Sequence, residues 1–418
     1  MRGCTALAGR MAGGGNREVG MNGRESGEVR LEARHKPSGE NSRFSGEELA
    51  FGEYLRRMAE MLRRAHVRLG TAELEKAVAG NAPFELHPVG EACRGKGKPY
   101  RRGVLLTHGL TDSPYFMRYL AEFFRENGFR VMAILLPGHG TQPGDLLGVT
   151  WREWARAVAY GADRLAEEAD EIYLAGFSAG GALSVYQSLR DDRVRGLFLF
   201  SPALEITPRA AWANLHRLYS WLMPSAKWVG IRPDKSLYKY ESLPKNAVAQ
   251  MHALTKKLNS LLRKHEVSLP VFAAASQDDA TANTPATLAF MAQARHPSSR
   301  LVLYTTDTGK FPPGIPAEKL ELVNSVLPEQ KILSSAHTAI VLPPDDPHYG
   351  AAGDYSNFIH YYPGDMEKYE ACNNNHGEVL QGEVSEANLR AGALRRLMYN
   401  PNFAALKISM KRFIDNLP

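Results

Sequence analysis

Ile172-Tyr173-Leu174-Ala175-Gly176-Phe177-Ser178-Ala179-Gly180-Gly181 runs from an apolar stretch of strand length into small residues, and helix formers follow. A G-x-S-x-G pattern at such a junction marks a strand that turns directly into a helix with one serine at the tip. Glycine two residues to either side lets the two backbones pass where a Cβ would clash, and it holds the serine in a strained, exposed conformation. Ser178 is therefore the candidate nucleophile.

Working outward from it, Gly103 to Ser201 alternates short aliphatic runs with helix-length segments. Val104-Leu105-Leu106-Thr107 precedes Tyr115 to Asn127, Arg130 to Leu135 precedes Trp151 to Glu168, and Val194 to Phe200 closes the series. Such repetition predicts an α/β fold with a mostly parallel central sheet covered by helices on both faces. Active sites in these sheets lie beyond the strand C-terminal ends, where both Ser178 and the His108-Gly109 turn fall. Pro202 to His265 breaks the alternation with aromatics at helical spacing, among them Trp212, Trp221, Trp228, Tyr238 and Tyr240, and reads as an inserted helical cap. Pro270 to Ala275 and Leu301 to Tyr304 resume the strand pattern, and Lys331-Ile332-Leu333 reads as one more strand. The expected organisation is a disordered tail over 1–46, the first part of the core with an N-terminal helix over 47–201, the cap over 202–265, and the second part of the core over 266–418. The tail assignment rests on ten glycines and scattered charges that offer little apolar surface to offset ordering entropy.

Composition narrows the function. Of 418 residues 44% are hydrophobic and 23% charged, the balance of an ordinary globule, and no apolar run nears the roughly 18 residues that a membrane helix needs. A net charge of +6, with basic residues interleaved among acidic ones, gives no patch for nucleic acid. Three widely spaced cysteines suggest neither a disulfide framework nor a zinc site. Together with an N-terminus whose apolar residues are interrupted by arginines and glycines, this points to a cytoplasmic location. No motif speaks to oligomeric state.

A serine needs a base to take its proton, and the base needs an acid to fix its tautomer. In this kind of fold both follow the serine in the chain, in the order Ser, Asp, His. Asp278 and Asp279 lie just past the Pro270 to Ala275 strand; Asp279 is favoured as the acid and Asp278 is the alternative, a turn former. Asp307 follows a later strand and is a weaker candidate. His337 stands after Lys331-Ile332-Leu333 and is favoured as the base, with His348 and His360 as competitors. Asp345, Asp346 and His348 match no specific metal-binding pattern, and nothing requires a metal or cofactor. The negative charge that develops on a substrate carbonyl oxygen needs two preset N–H donors. The amide of Ala179, in the first turn of the helix after the serine, is one. The amide of Leu110, in His108-Gly109-Leu110-Thr111-Asp112, is expected as the other, with His108 bracing that loop.

Taken together, His108-Gly109-Leu110, Leu136-Pro137-Gly138-His139-Gly140, the Ser178 turn, Ser276 to Asp279 and His337 resemble the α/β-hydrolase superfamily, in particular its carboxylesterase and monoacylglycerol-lipase-like branch. The resemblance is closest over Val104 to Phe200, looser over Leu269 to His337, and absent in the cap and at both ends. It implies a serine hydrolase with Ser178 as nucleophile, Asp279 as acid, His337 as base and Leu110 and Ala179 as oxyanion donors. A small-molecule carboxylic ester with an acyl or lipid-like chain is the expected substrate. An amide or peptide hydrolase of aminopeptidase type is the alternative, ahead of a non-catalytic binding scaffold. The sequence departs from the branch in two places. A Pro-Gly-rich excursion, Asp307 to Pro328, precedes His337, and Ser276 stands where that branch commonly has glycine.

Overall fold

The computed structural model describes residues 31–90, 93–206, 224–374 and 379–417. In chain order its strands are β1 (Phe84–Leu86), β2 (Tyr100–Thr107), β3 (Phe129–Ile134), β4 (Ala169–Phe177), β5 (Val194–Phe200), β6 (Trp228–Gly230), β7 (Leu243–Pro244), β8 (Val271–Ser276), β9 (Arg300–Thr305), β10 (Leu320–Asn324), β11 (Leu380–Gly382) and β12 (Leu394–Arg396). The main helices are α1 (Phe51–Ala65), α2 (Thr71–Asn81), α3 (Arg118–Glu126), α4 (Trp151–Glu168), α5 (Ala179–Ser188), α6 (Lys245–Leu262), α7 (Thr284–Gln293), α8 (Met366–Asn374), α9 (Glu386–Ala391) and α10 (Phe403–Asp415).

Eight strands form one sheet in the order β1-β3-β2-β4-β5-β8-β9-β10. Only β1 is antiparallel to its neighbour. Side chains of a strand point alternately to its two faces, and here both faces are buried. Leu105, Leu174, Leu197 and Ala273 face a core shared with α4, α5, α6 and α7, whereas Val104, Tyr173, Phe198 and Phe272 face one shared with α3 and α10. Double-sided burial is why these strands read as continuous apolar runs. The fold is the expected α/β-hydrolase architecture, a mostly parallel sheet flanked by helices.

Both edges of the sheet go beyond the sequence reading. β1 spans three residues, too few to carry a period, and β10 lies inside the excursion that reads as Pro-Gly-rich chain. Lys331-Ile332-Leu333, expected as a strand, stays outside the main sheet. Ile332 makes only isolated bridges to Leu327 and Gln381.

Residues 31–46, assigned to the disordered tail by composition, are instead fastened to the main body. Polar contacts supply most of the ties, with one aromatic side chain buried beside them. The Ser38 amide and hydroxyl donate to Asp145 at 2.6 and 2.7 Å, Asn41 Nδ2 donates to the carbonyls of Leu136 and His139, and Gly138 N donates to Asn41 O at 2.6 Å. Phe44 is buried beside Tyr54 and Tyr160. Residues 1–30 of that tail lie outside the described residues, as do Trp212 and Trp221 of the expected cap. The described part of the insertion carries the β6–β7 ribbon and α6, whose Ala247, Met251, Leu254 and Leu258 form one buried stripe in the core shared with α4 and α5. Among the described residues no helix is long and apolar enough to cross a membrane.

Candidate active site

The turn between β4 and α5 places Ser178 at φ 53° and ψ −113°, a region that non-glycine residues rarely adopt. Two hydrogen bonds hold it there. Ser178 N donates to Phe200 O at 2.9 Å, and Ala203 N donates to Ser178 O at 3.0 Å. The flanking glycines are needed for close approach. A Cβ on Gly176 would come 2.2 Å from the backbone of Gly180, and one on Gly180 would come 2.1 Å from Thr107 O at the end of β2. A Gly180→Ala substitution must therefore push α5 away from β2. We expect it to cost about 2–3 kcal/mol in urea unfolding, in the range of other overpacked cores, and to lower reactivity at Ser178. Unchanged stability would show that the elbow has slack.

His337 Nε2 lies 3.0 Å from Ser178 Oγ, and His337 Nδ1 lies 2.7 Å from Asp279 Oδ2. The other Asp279 oxygen accepts the amides of Thr281 and Ala282 at 2.7 and 2.8 Å. Burial by itself would raise the Asp279 pKa, but the adjoining His337 ring and these two amides outweigh it and hold the carboxyl below the usual range. A carboxylate that accepts from Nδ1–H leaves Nε2 as an acceptor facing the serine hydroxyl. Serine, histidine and aspartate thus form one continuous hydrogen-bonded string, with Ser178 only 8% exposed.

The alternatives sit elsewhere. Asp278 faces Glu383 and Thr306, and its pKa is raised by burial and then by Glu383. His348 belongs to a different string on the outer side of the fold, pairing with Asp354 through Nδ1 while Nε2 lies 3.3 Å from Ser236 Oγ. Ser236 lacks a strained turn and a following helix, and its oxygen is 2.5 Å from the Tyr349 hydroxyl. Asp346 is a turn anchor. Its carboxylate accepts the amides of His348 and Tyr349 and the Tyr115 hydroxyl. Among the described residues no group of three or more His, Cys, Asp or Glu is arranged to hold a metal.

Leu110 lies in the turn that faces the elbow, since a Cβ on its neighbour Gly109 would come 3.2 Å from Ser178 Cβ. Ala179 opens α5, where first-turn amides have no partner within the helix. His108 braces this turn as the sequence suggests: Nε2 accepts Leu136 N at 3.1 Å and Nδ1 contacts Gly109 O at 2.9 Å. Burial and then the nearby His139 keep its pKa well below the ordinary value, so it is neutral. His139 packs edge-on against it, and burial lowers the His139 pKa to about 4.

Two supports escaped sequence reasoning. Asp112, buried inside the Gly109–Asp112 turn, pairs with Lys239 from the insertion. Glu383, also fully buried, pairs with Arg396 and accepts the backbone amide of His337 at 2.9 Å. Neither residue has a local pattern that would mark it, because each acquires its partner only when distant segments fold together.

A family model described as Serine aminopeptidase, S33 matches residues 98–306, 209 of the 418 positions and thus half of the chain. The chain is 30% identical over 164 residues to a thermostable monoacylglycerol lipase of Bacillus sp. (strain H-257), covering 38% of this chain and 64% of that relative. It is 33% identical over 85 residues to a carboxylesterase of Bacillus subtilis (strain 168), covering 20% of this chain and 35% of the relative. The match thus spans less than two thirds of either relative's length. A solved structure from the metagenome-derived lipolytic enzymes LipS and LipT is 24% identical with a TM-score of 0.44, covering 54% of this chain and 87% of the other.

Proposed function

We propose that this chain, which belongs to the serine aminopeptidase S33 family of α/β-hydrolases, cleaves carboxylic esters through an acyl-enzyme. The observation that carries the proposal is the string from Asp279 through His337 to Ser178 at a strained strand-to-helix turn. Ser178 Oγ attacks the ester carbonyl while His337 Nε2 takes its proton. Asp279 holds the ring by Nδ1–H and stabilises the imidazolium that forms. The amides of Ala179 and Leu110 receive the oxyanion, each such donor contributing roughly 10²–10³ in rate. His337 returns the proton to the departing alcohol. Water, deprotonated by the same nitrogen, then releases the acid and restores the serine.

The acyl or lipid-like ester as substrate is supported by the monoacylglycerol lipase and carboxylesterase among the chain's relatives. A second reading, hydrolysis of an aminoacyl amide, is favoured by the description of the family itself, since one triad serves both bonds. A cytoplasmic setting is supported by two buried free thiols, Cys93 and Cys372.

A panel of p-nitrophenyl esters of increasing acyl length, run beside aminoacyl amides and with a fluorophosphonate probe, tests the proposal. We expect ester turnover well above amide turnover, with the probe on Ser178. Faster amide turnover would favour the second reading. Folded protein that takes no probe would leave a binding scaffold.

A further inference from the structure

Glu383 joins the candidate acid to the candidate base. A single carboxylate oxygen, Oε2, accepts His337 N at 2.9 Å, Ala280 N at 3.3 Å and Arg396 Nη2 at 3.0 Å. The other oxygen accepts Val384 N at 2.8 Å and lies 3.0 Å from Arg396 Nε. Arg396 also donates to Thr281 Oγ1 at 2.6 Å, so the pair grips the Asp279 turn at two successive residues. Burial alone would raise the Glu383 pKa, but Arg396 and then the His337 amide hold it below the usual range, so the group is a carboxylate.

The pair is brought together by strand geometry. β11 and β12 run parallel with Gly382 opposite Arg396, so Glu383, one residue past β11, lies beside the end of β12. The base hangs from the same small sheet. Leu333 N donates to Gln381 O at 2.8 Å, Ser334 Oγ accepts Glu383 N at 3.1 Å, and Thr338 Oγ1 donates to Leu397 O at 2.8 Å. Asp279 and Ser178, by contrast, follow strands of the main sheet, β8 and β4. Ile340 to Leu342, just beyond His337, are buried in the core with main-sheet residues, and Glu383 adds a direct tie between His337 and the Asp279 turn.

We infer that Glu383, fixed by Arg396, is a positioning residue that sets the place of His337 against Asp279 and so against Ser178. The inference rests on the proposed role of that string. An error of about 1 Å in such an arrangement costs on the order of 10²-fold in rate. Glu383→Gln turns one acceptor into a donor facing other donors, so His337 N and Ala280 N can no longer share one anionic oxygen.

The test compares wild type, Glu383→Gln and Arg396→Lys, all well below their melting temperatures. It measures ester kinetics and the rate of fluorophosphonate labelling, with circular dichroism to establish folding. We expect Glu383→Gln to lower kcat and labelling rate by about 10- to 100-fold with KM within about threefold, and Arg396→Lys to lie between it and wild type. If Glu383→Gln does not fold, Arg396→Lys alone decides, and a folded variant with wild-type kcat and labelling overturns the inference. A lowered melting temperature with unchanged kcat also overturns it, since that is a purely structural role. Failure of the wild type itself to label would instead refute the serine hydrolase reading.

Discussion

Ser178→Ala is expected to lose ester turnover by about 10⁴- to 10⁶-fold while keeping its fold, because the rate depends on an oxygen that alanine lacks. The bonds that hold the elbow are made by backbone atoms, Ser178 N to Phe200 O and Ala203 N to Ser178 O, and both survive the change. The strained dihedrals are no worse for alanine than for serine. A steady-state assay beside a thermal melt checks the expectation. Appreciable turnover by purified, folded Ser178→Ala protein would remove the serine from the mechanism.

His337→Ala is expected to show a loss of similar order, and His348→Ala one within about twofold. The contrast arises because His337 is the ring that spans Ser178 and Asp279, at 3.0 and 2.7 Å, whereas His348 is engaged with Asp354 and Ser236. In His337→Ala the Asp279 carboxylate keeps its two backbone amides, which limits the cost of leaving it without the ring. Paired kinetic measurements decide between the two histidines. Comparable losses, or a greater loss for His348→Ala, would reassign the base.

Ser178, Asp279 and His337, which the structure brings together, were legible in the sequence because each stands near the end of an apolar run or at a turn with restrictive chemistry. G-x-S-x-G demands glycines for reasons of contact distance, and Gly176 and Gly180 meet those distances. Asp279 was preferred over Asp278 by position, and the structure separates them by direction: Asp279 faces His337, and Asp278 faces Glu383. His337 was favoured by its position after Lys331-Ile332-Leu333, although that run does not join the main sheet. Tertiary supports were not legible. Glu383 follows His337 by 46 residues, and its contacts with His337 N, Ala280 N and Arg396 exist only once β11 and β12 pair. The order of residues 31–46 was hidden for a related reason. Composition measures apolar surface, and Ser38 and Asn41 hold their segment by hydrogen bonds.

His337 is tied to the small β11–β12 sheet through Leu333, Thr338 and Glu383, while Asp279 and Ser178 follow strands of the eight-stranded sheet. Proteins open piecewise, and the least protected unit opens first. Separation of that two-stranded piece would remove the ties on one side of His337 while the large sheet remained intact. We expect ester turnover on heating to be lost ahead of the main unfolding transition, with hydrogen exchange at residues 380–397 ahead of that in β4 and β8. Substitutions that strengthen residues 380–397 would then raise the temperature at which turnover is lost.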